Sequence, residues 1–237
     1  YFDVRFPTSI TNDGSDAMNI NPDYSASYIK IHTTDPALSG DSFVFTTGHG
    51  NDIQVKAIEM LAEQLVGWDI DDAFVNIGDI AKNLSRNSHI RWLGPDVGIF
   101  HMAAGAVLNA LWDLFAKKKG VPLWKLLADM SPEEIVNAID FRYISDALTP
   151  AEALQILKSA ENSKRDNEVT LRNSGVPAYT TTPGWLGYSD EKMLKSKPRP
   201  RFTPPELSVP PVVPIGIISS SRRPWIRPGK STSAGGT

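Results

Sequence analysis

Histidine and acidic side chains are the first candidates for chemistry in this sequence. The four histidines are His32, His49, His89 and His101. No two of them have the i, i+4 spacing of the HExxH zinc motif, and His101 falls in an apolar helical stretch where we expect it to be packed or hydrogen-bonded. The chain has no cysteine, which excludes disulfides, thiolate metal sites and a cysteine nucleophile. Residue types and spacing alone therefore predict no catalytic or metal centre.

Paired acids and a glycine-rich turn have simpler explanations than catalysis. The acid pairs at 71–72 and 133–134 stand where helices are predicted to begin, and negative side chains stabilise that end of a helix. The glycines in the stretch GHG (48–50) precede a predicted helix and could cradle an anion, but a simple turn is the favoured interpretation. The sequence contains no GxGxxG, Walker or GxSxG motif.

A polar segment at 9–23, SITNDGSDAMNINPD, separates the first two predicted strands. It is too long for a tight turn, and long connections without structure of their own are often functional. Composition alone leaves two alternatives for it, a plain surface loop and a functional loop.

The elements that must position these residues form an α+β pattern. Alternating apolar residues with β-branched and aromatic side chains predict strands at 2–8, 24–34 and 41–47. Apolar residues at three- and four-residue steps predict helices at 51–69, 71–86, 95–120, 121–130, 151–175 and 189–195. Further extended segments are predicted at 138–144 and 177–182.

The strongest helix signal lies at 95–120. Pro95 suits a first turn, Gly120 suits the C-terminal end, and the lysines at 117–119 complement the helix dipole there. Its apolar face, beginning at Val97, is expected to be buried, and the small residues AAGA (103–106) are expected to permit close approach of another backbone.

Two later helix starts carry an explicit signature. Ser131 and Thr149 each precede a proline, and each has a glutamate three residues on. This spacing predicts two capping boxes with proline in the first turn.

Charge and proline are distributed unevenly along the 237 residues. The net charge is −3, but residues 1–194 contribute −10 and residues 195–237 contribute +7, and half of the 18 prolines lie in the latter segment. The apolar fraction of 41% and charged fraction of 22% are typical of a globular protein. With no membrane span or signal segment in the pattern, we expect a cytoplasmic protein with no nucleic-acid or membrane partner.

Several long strings resemble one enzyme group. They are DVRFPTS, GSDAMN, PDYSA, RWLGP, AVLNALWDLFAKKKGVPLWKLL, IDFRYI and PAYTT…GWLGYSDEKM. From about residue 2 to residue 195 the chain resembles the N-terminal part of the L-fuconate and L-galactonate dehydratases, in the mandelate racemase branch of the enolase superfamily. The resemblance implies an α+β capping domain at 1–175, the first strand and helix of a TIM-type barrel at 176–195, and a Pro/Arg-rich, disordered tail outside the family pattern at 196–237.

The same resemblance implies a substrate contact and a chemistry. In this family a base removes the proton α to a carboxylate, Mg²⁺ stabilises the enediolate and a hydroxyl leaves as water. Carried over position by position, the substrate-binding residues are Gly14, Ser15, Asp16 and Tyr24. Trp92 could line the mouth of the site, but a packed aromatic is favoured. The family's catalytic lysines, Mg²⁺ ligands and His–Asp dyad have no counterparts in this chain, so we assign it no catalytic or metal residue.

We therefore expect a truncated dehydratase that is inactive and poorly soluble alone, with a tail from a shifted reading frame or a retained intron. The alternative is a non-catalytic binding or regulatory module that uses the cap and the basic tail, whose PVVP (211–214) has the PxxP form. The expected partners are a sugar acid and a second copy or a full-length homologue.

Overall fold

A computed structural model describes residues 2–6, 18, 20, 23–94, 97–175 and 188–195. All of them lie within one compact unit, Tyr1–Pro200. The predicted strand at 177–182 and the proline-rich tail fall outside the described residues.

Three antiparallel strands form a meander in the order β1–β2–β3, as the alternation predicts. Their bounds are β1 Phe2–Arg5, β2 Ser25–His32 and β3 Ser39–Thr46. In the β2–β3 pair, Ser25 faces Thr46 and Tyr28 faces Phe43. One face of this pair packs on helices, and the other carries exposed aromatic side chains.

Nine α-helices follow in the part of the chain that the structure describes. They are α1 Asn51–Ala62, α2 Ile70–Val75, α3 Ile77–Arg86, α4 Ile99–Lys119, α5 Leu123–Asp129, α6 Pro132–Ala138, α7 Pro150–Ala160, α8 Lys164–Ser174 and α9 Asp190–Lys195. Both predicted capping boxes are confirmed, because Ser131 and Thr149 accept from the N–H of Glu134 and Glu152, whose carboxylates accept in return. The mixed α+β class predicted from the sequence is confirmed.

Helix α4 forms the centre of the core. It packs on the sheet and on α1, and its buried residues include Ala103, Val107, Leu111 and Phe115. Phe115 makes an edge-on contact with Phe74 of α2, with ring centroids 5.1 Å apart. By length and composition α4 could cross a membrane, but about half of its apolar window is buried within this domain, which is the pattern of a core helix.

Two glycines allow close backbone approach, and neither lies in the AAGA segment. A Cβ on Gly40 of β3 would lie 2.0 Å from the carbonyl oxygen of Ala110, and one on Gly78 of α3 would lie 1.9 Å from that of Asn137. A Cβ on Gly105 would meet nothing within 4 Å among the described residues, so no close approach occurs at this glycine. The neighbouring Ala103, Ala104 and Ala106 are buried in the core.

The start of the longest helix is also corrected. Helix α4 begins at Ile99 and not at Pro95, because Gly98 has a left-handed φ of 73° that interrupts the helical path. Val97 consequently precedes the helix and is 76% exposed. The predicted C-terminal end of α4 is confirmed, since Gly120 adopts the left-handed conformation and its N–H donates to the carbonyls of Ala116 and Lys117.

Three other predictions change in detail. The segment 138–144 is not extended: α6 ends at Ala138, and a 3₁₀ turn at Phe141–Tyr143 is held by the Asp140 carboxylate, which accepts from the Arg142 N–H and pairs with Arg86. The predicted helix at 71–86 divides at residue 76, and the one at 151–175 divides at a 3₁₀ turn, Glu161–Ser163. In both cases an Asn or Ser side chain bonds a nearby backbone carbonyl and competes with the helix ladder.

Candidate substrate-loop base

The structure describes both ends of the connection between β1 and β2. The N–H of Phe6 donates to the carbonyl of Tyr24 at 2.8 Å, and the N–H of Asp23 donates to the carbonyl of Thr47 at 3.2 Å. Each bond extends a strand ladder by one step beyond the regular sheet. The connection thus leaves and returns at two anchored points, which we call the loop base (Phe6, Asp23, Tyr24 and their neighbours on β3).

Of the four predicted substrate-binding residues, only Tyr24 lies among the described ones. Gly14, Ser15 and Asp16 fall outside them, so their predicted role stays a prediction. Tyr24 is half-buried, immediately before β2. Its predicted role in substrate binding also stays a prediction.

An aromatic cluster holds Tyr24 in place. Its ring lies 5.3 Å from the ring of Phe45, and the Phe45 ring also stacks on Phe6 at 6.0 Å. Such pairs contribute about 0.5–1.5 kcal/mol beyond their buried area. Both ends of the connection are therefore fixed to the same side chain of β3.

A buried hydrogen-bond network fixes the opposite face of the loop base. The hydroxyl groups of Ser25 and Thr46 lie 2.7 Å apart, Thr46 Oγ1 donates to Asn51 Oδ1 at 2.6 Å, and Asn51 Nδ2 donates to Ser25 Oγ at 3.1 Å. Ser25 is fully buried and Asn51 nearly so. This closed triangle ties the first residue of α1 to the ends of β2 and β3, and we call it the Ser–Thr–Asn network.

Small side chains make this arrangement possible. Ser27 is also fully buried, and its hydroxyl donates to the Asn51 carbonyl at 3.4 Å. Gly50, with a left-handed φ of 97°, turns the chain into α1 without a side-chain cap. His49 of the same turn is exposed. The glycines at 48–50 therefore act as a turn, as favoured from the sequence.

A charged cluster secures β3 to α4 further along the sheet. The Asp113 carboxylate accepts from the backbone N–H of Asp41 at 2.7 Å, and Lys117 bridges both carboxylates at 2.6 Å. Lys30 pairs with Asp41 at 2.7 Å. Partial burial raises the pKa of Asp41, but the hydrogen bonds and charges of Lys117 and Lys30 outweigh it and hold that pKa below its ordinary value.

The structure corrects two interpretations of the sequence, the packing of Trp92 and the packing of His101. Trp92 is 80% exposed and is not a packed aromatic, although its indole N–H donates to the His89 carbonyl. His101 is exposed on α4 because it falls on the side of the helix away from the sheet. Within the described ranges, no group of three or more His, Asp or Glu side chains is placed to hold a metal ion.

The comparisons with known proteins assign this fold to a class. Residues 16–128 match the model of the mandelate racemase / muconate lactonizing enzyme family, N-terminal domain. This match to the N-terminal domain of an enolase-superfamily family confirms the resemblance found in the sequence.

Individual relatives agree with that assignment. Mitochondrial enolase superfamily member 1 of Xenopus laevis is 48% identical over 194 residues, which are 81% of this chain and 44% of that protein. L-galactonate dehydratase of Hypocrea jecorina is 50% identical over 192 residues, 81% of this chain and 42% of that protein. The crystal structure of human mitochondrial enolase superfamily member 1 matches with a TM-score of 0.77 at 44% identity, covering 81% of this chain and 44% of that one. The chain spans less than half the length of the curated relatives it matches.

Proposed function

We propose that this chain supplies the cap of a sugar-acid dehydratase, the part that closes over the bound substrate. The observation that carries the proposal is the loop base, where both ends of the connection resembling the family's substrate loop are anchored to Phe45 and to the strand ladder. The 50% identity to L-galactonate dehydratase supports an acid of the L-galactonate or L-fuconate type.

The reaction that the cap would serve is the loss of water from a 2,3-dihydroxy acid. A base takes the proton from C2, the hydroxyl on C3 leaves as water, and the resulting enol becomes the 2-keto-3-deoxy acid. A polyhydroxylated substrate needs donors and acceptors from a segment that closes and excludes water. In this scheme Asp16 accepts from substrate hydroxyls, Ser15 donates or accepts, Gly14 lets the backbone come near, and Tyr24 borders the site.

The Ser–Thr–Asn network and the aromatic cluster have a positioning role. A loop that closes over a substrate is effective when its ends are rigid, because misplacement of a binding group weakens the transition-state contacts. Ser25, Thr46 and Asn51 hold one face of the base, and Phe45 holds the other. In this proposal these residues determine the position of Tyr24.

We propose further that the 237-residue chain alone does not catalyse the reaction. Mg²⁺ belongs to the proposed reaction through the family, but the described residues do not fit a site for it, so we assign them no step involving the metal. Purified chain incubated with L-galactonate or L-fuconate and Mg²⁺ should release no 2-keto-3-deoxy acid. Metal-dependent turnover by this chain would contradict the proposal.

A chimera tests the cap function itself. Residues 1–195 would replace the corresponding part of the Hypocrea jecorina L-galactonate dehydratase, and the matched control is that enzyme with the same part deleted. The chimera should dehydrate L-galactonate while the deletion does not. A folded chimera without activity would show that this cap does not serve that reaction.

The exposed aromatic side chains of the sheet favour a second candidate, a non-catalytic binding module. Tyr28 and Phe43 stack at 5.7 Å on the outer face, where Phe43 is 50% exposed. Such a face could pair the chain with a full-length homologue. Tagged chain should then retain the Hypocrea jecorina enzyme, a Phe43→Ser variant should not, and failure of the unaltered chain to retain it would exclude this candidate.

A further inference from the structure

A cavity of about 780 Å³ lies at the end of the domain away from the loop base. It opens between the C-terminal end of β2, the helices α1 and α4, and the turn at 63–70. Tyr24 precedes β2 and His32 ends it, so roughly 25 Å of strand separates the two places. The cavity therefore forms a site independent of the proposed substrate loop.

The accessible wall of the cavity is apolar. It is formed by Ile31, Ala62, Leu65 and Ile70, which are partly exposed and pack against the buried core residues beneath them. Ligand pockets of about 300–1,000 Å³ with mostly apolar walls suit drug-sized organic molecules. The size and lining therefore fit a small molecule with a flat hydrophobic body.

The lining of the cavity includes three residues that can donate hydrogen bonds. His32, Thr34 and Trp68 line the opening, and among the described residues their side-chain polar atoms have no hydrogen-bond partner. An imidazole, a hydroxyl and an indole N–H can all donate. They are suited to an acceptor group at one end of the ligand.

The charged groups of the rim are already engaged. Lys30 pairs with Asp41, Glu59 with Lys56, and the Asp69 carboxylate caps α2 by accepting from the N–H groups of its first turn. These contacts reduce the repulsion between the two acids and an anionic ligand. The three donors are then the rim groups that can bind the anionic group of the ligand.

We propose that this cavity binds a small aromatic monocarboxylate, with its ring against Leu65 and Ile70 and its carboxylate at His32, Thr34 and Trp68. This goes beyond the proposed dehydratase role and does not depend on it, because none of these residues belongs to the loop base.

Titration calorimetry of the full chain with 2-naphthoate tests the proposal. We expect one site, loss of binding in Ala62→Trp, whose indole would fill the opening, and about tenfold weaker binding in His32→Ala, as for loss of a hydrogen bond to a charged group. His49→Ala, an exposed histidine outside the cavity, is the matched control and should bind like the unaltered chain. Thermal melting of each variant checks that the fold is retained.

Three results with 2-naphthoate, and one with its amide, would overturn the proposal. They are absence of binding at millimolar 2-naphthoate, equal binding by the His32→Ala and unaltered chains, and equal weakening by His49→Ala. If Ala62→Trp does not fold, the comparison of His32→Ala with His49→Ala still tests the proposal. Binding of naphthalene-2-carboxamide with the same affinity as 2-naphthoate would also contradict the assignment of an anionic ligand.

Discussion

Substitution of Gly40 by alanine tests how the sheet packs on α4. A Cβ at this position would lie 2.0 Å from the carbonyl oxygen of Ala110 and 2.9 Å from Cβ of Leu114. The first of these atoms belongs to the backbone of a core helix, so it cannot move away by a rotamer change. Relief requires β3 and α4 to move apart by about 1 Å, which disturbs the core packing between them.

The expected loss is about 3 kcal/mol, the upper part of the range for overpacked cores. That is a large fraction of the roughly 5–15 kcal/mol that stabilises a typical domain, and it corresponds to a fall in Tm of about 6–12 °C. Urea unfolding followed by circular dichroism, together with calorimetric melting, measures both quantities.

Gly105→Ala is the matched control on the same helix. Its added Cβ meets no atom of the described residues within 4 Å, and alanine is favoured over glycine inside a helix by about 0.8–1.0 kcal/mol, so this variant should be more stable than the unaltered chain. Opposite signs for the two substitutions are the expected result. A Gly40→Ala chain as stable as the unaltered one, or a destabilised Gly105→Ala chain, would refute the packing described here.

Three further perturbations have definite expectations. Asn51→Leu removes the centre of the Ser–Thr–Asn network and leaves the buried Ser25 hydroxyl and the half-buried Thr46 hydroxyl with one bond fewer each, so urea unfolding should show a loss of about 2–3 kcal/mol, and an unchanged midpoint would speak against the network. Asp41→Asn should cost about 1 kcal/mol at neutral pH. Because the folded-state pKa of Asp41 is lowered, this difference should be full above its ordinary pKa of 3.8 and fade as the pH falls below it; a difference independent of pH would argue against the ion pairs. Thr149→Ala removes a capping box and should cost about 1 kcal/mol in the same assay, whereas Thr149→Ser should be nearly neutral, and equal losses would contradict the cap.

Local signals in the sequence predicted much of this fold. The capping boxes and the Gly120 stop depend on residues within one turn of each other, and the structure confirms them. The segment 138–144 was predicted wrongly because Asp140 pairs with Arg86, which lies 54 residues earlier in the chain and leaves no periodic trace. Gly40 and Gly78 could not be distinguished from ordinary glycines for the same reason, since the backbones they approach lie on other helices.

The candidate site was accessible to sequence analysis only through resemblance. Tyr24 was identified in that way, whereas Ser25, Thr46 and Asn51 were missed. Their bonds join residues 21 and 26 positions apart, and Ser, Thr and Asn between strands and before a helix look like ordinary turn residues. A signal was nonetheless present, because Ser25 and Ser27 occupy alternate, inward positions of a strand where apolar residues are usual.

The central claim is that the connection at the loop base binds the sugar acid, and Asp16 tests it most directly. In the chimera with the Hypocrea jecorina dehydratase, kcat/KM for L-galactonate would be measured for Asp16→Asn and for Asp13→Asn, the neighbouring acid with no predicted contact. We expect Asp16→Asn to lower kcat/KM by about 10- to 100-fold, as for loss of a charged hydrogen-bond partner, and Asp13→Asn to leave it nearly unchanged. Equal values for the two variants would contradict the account.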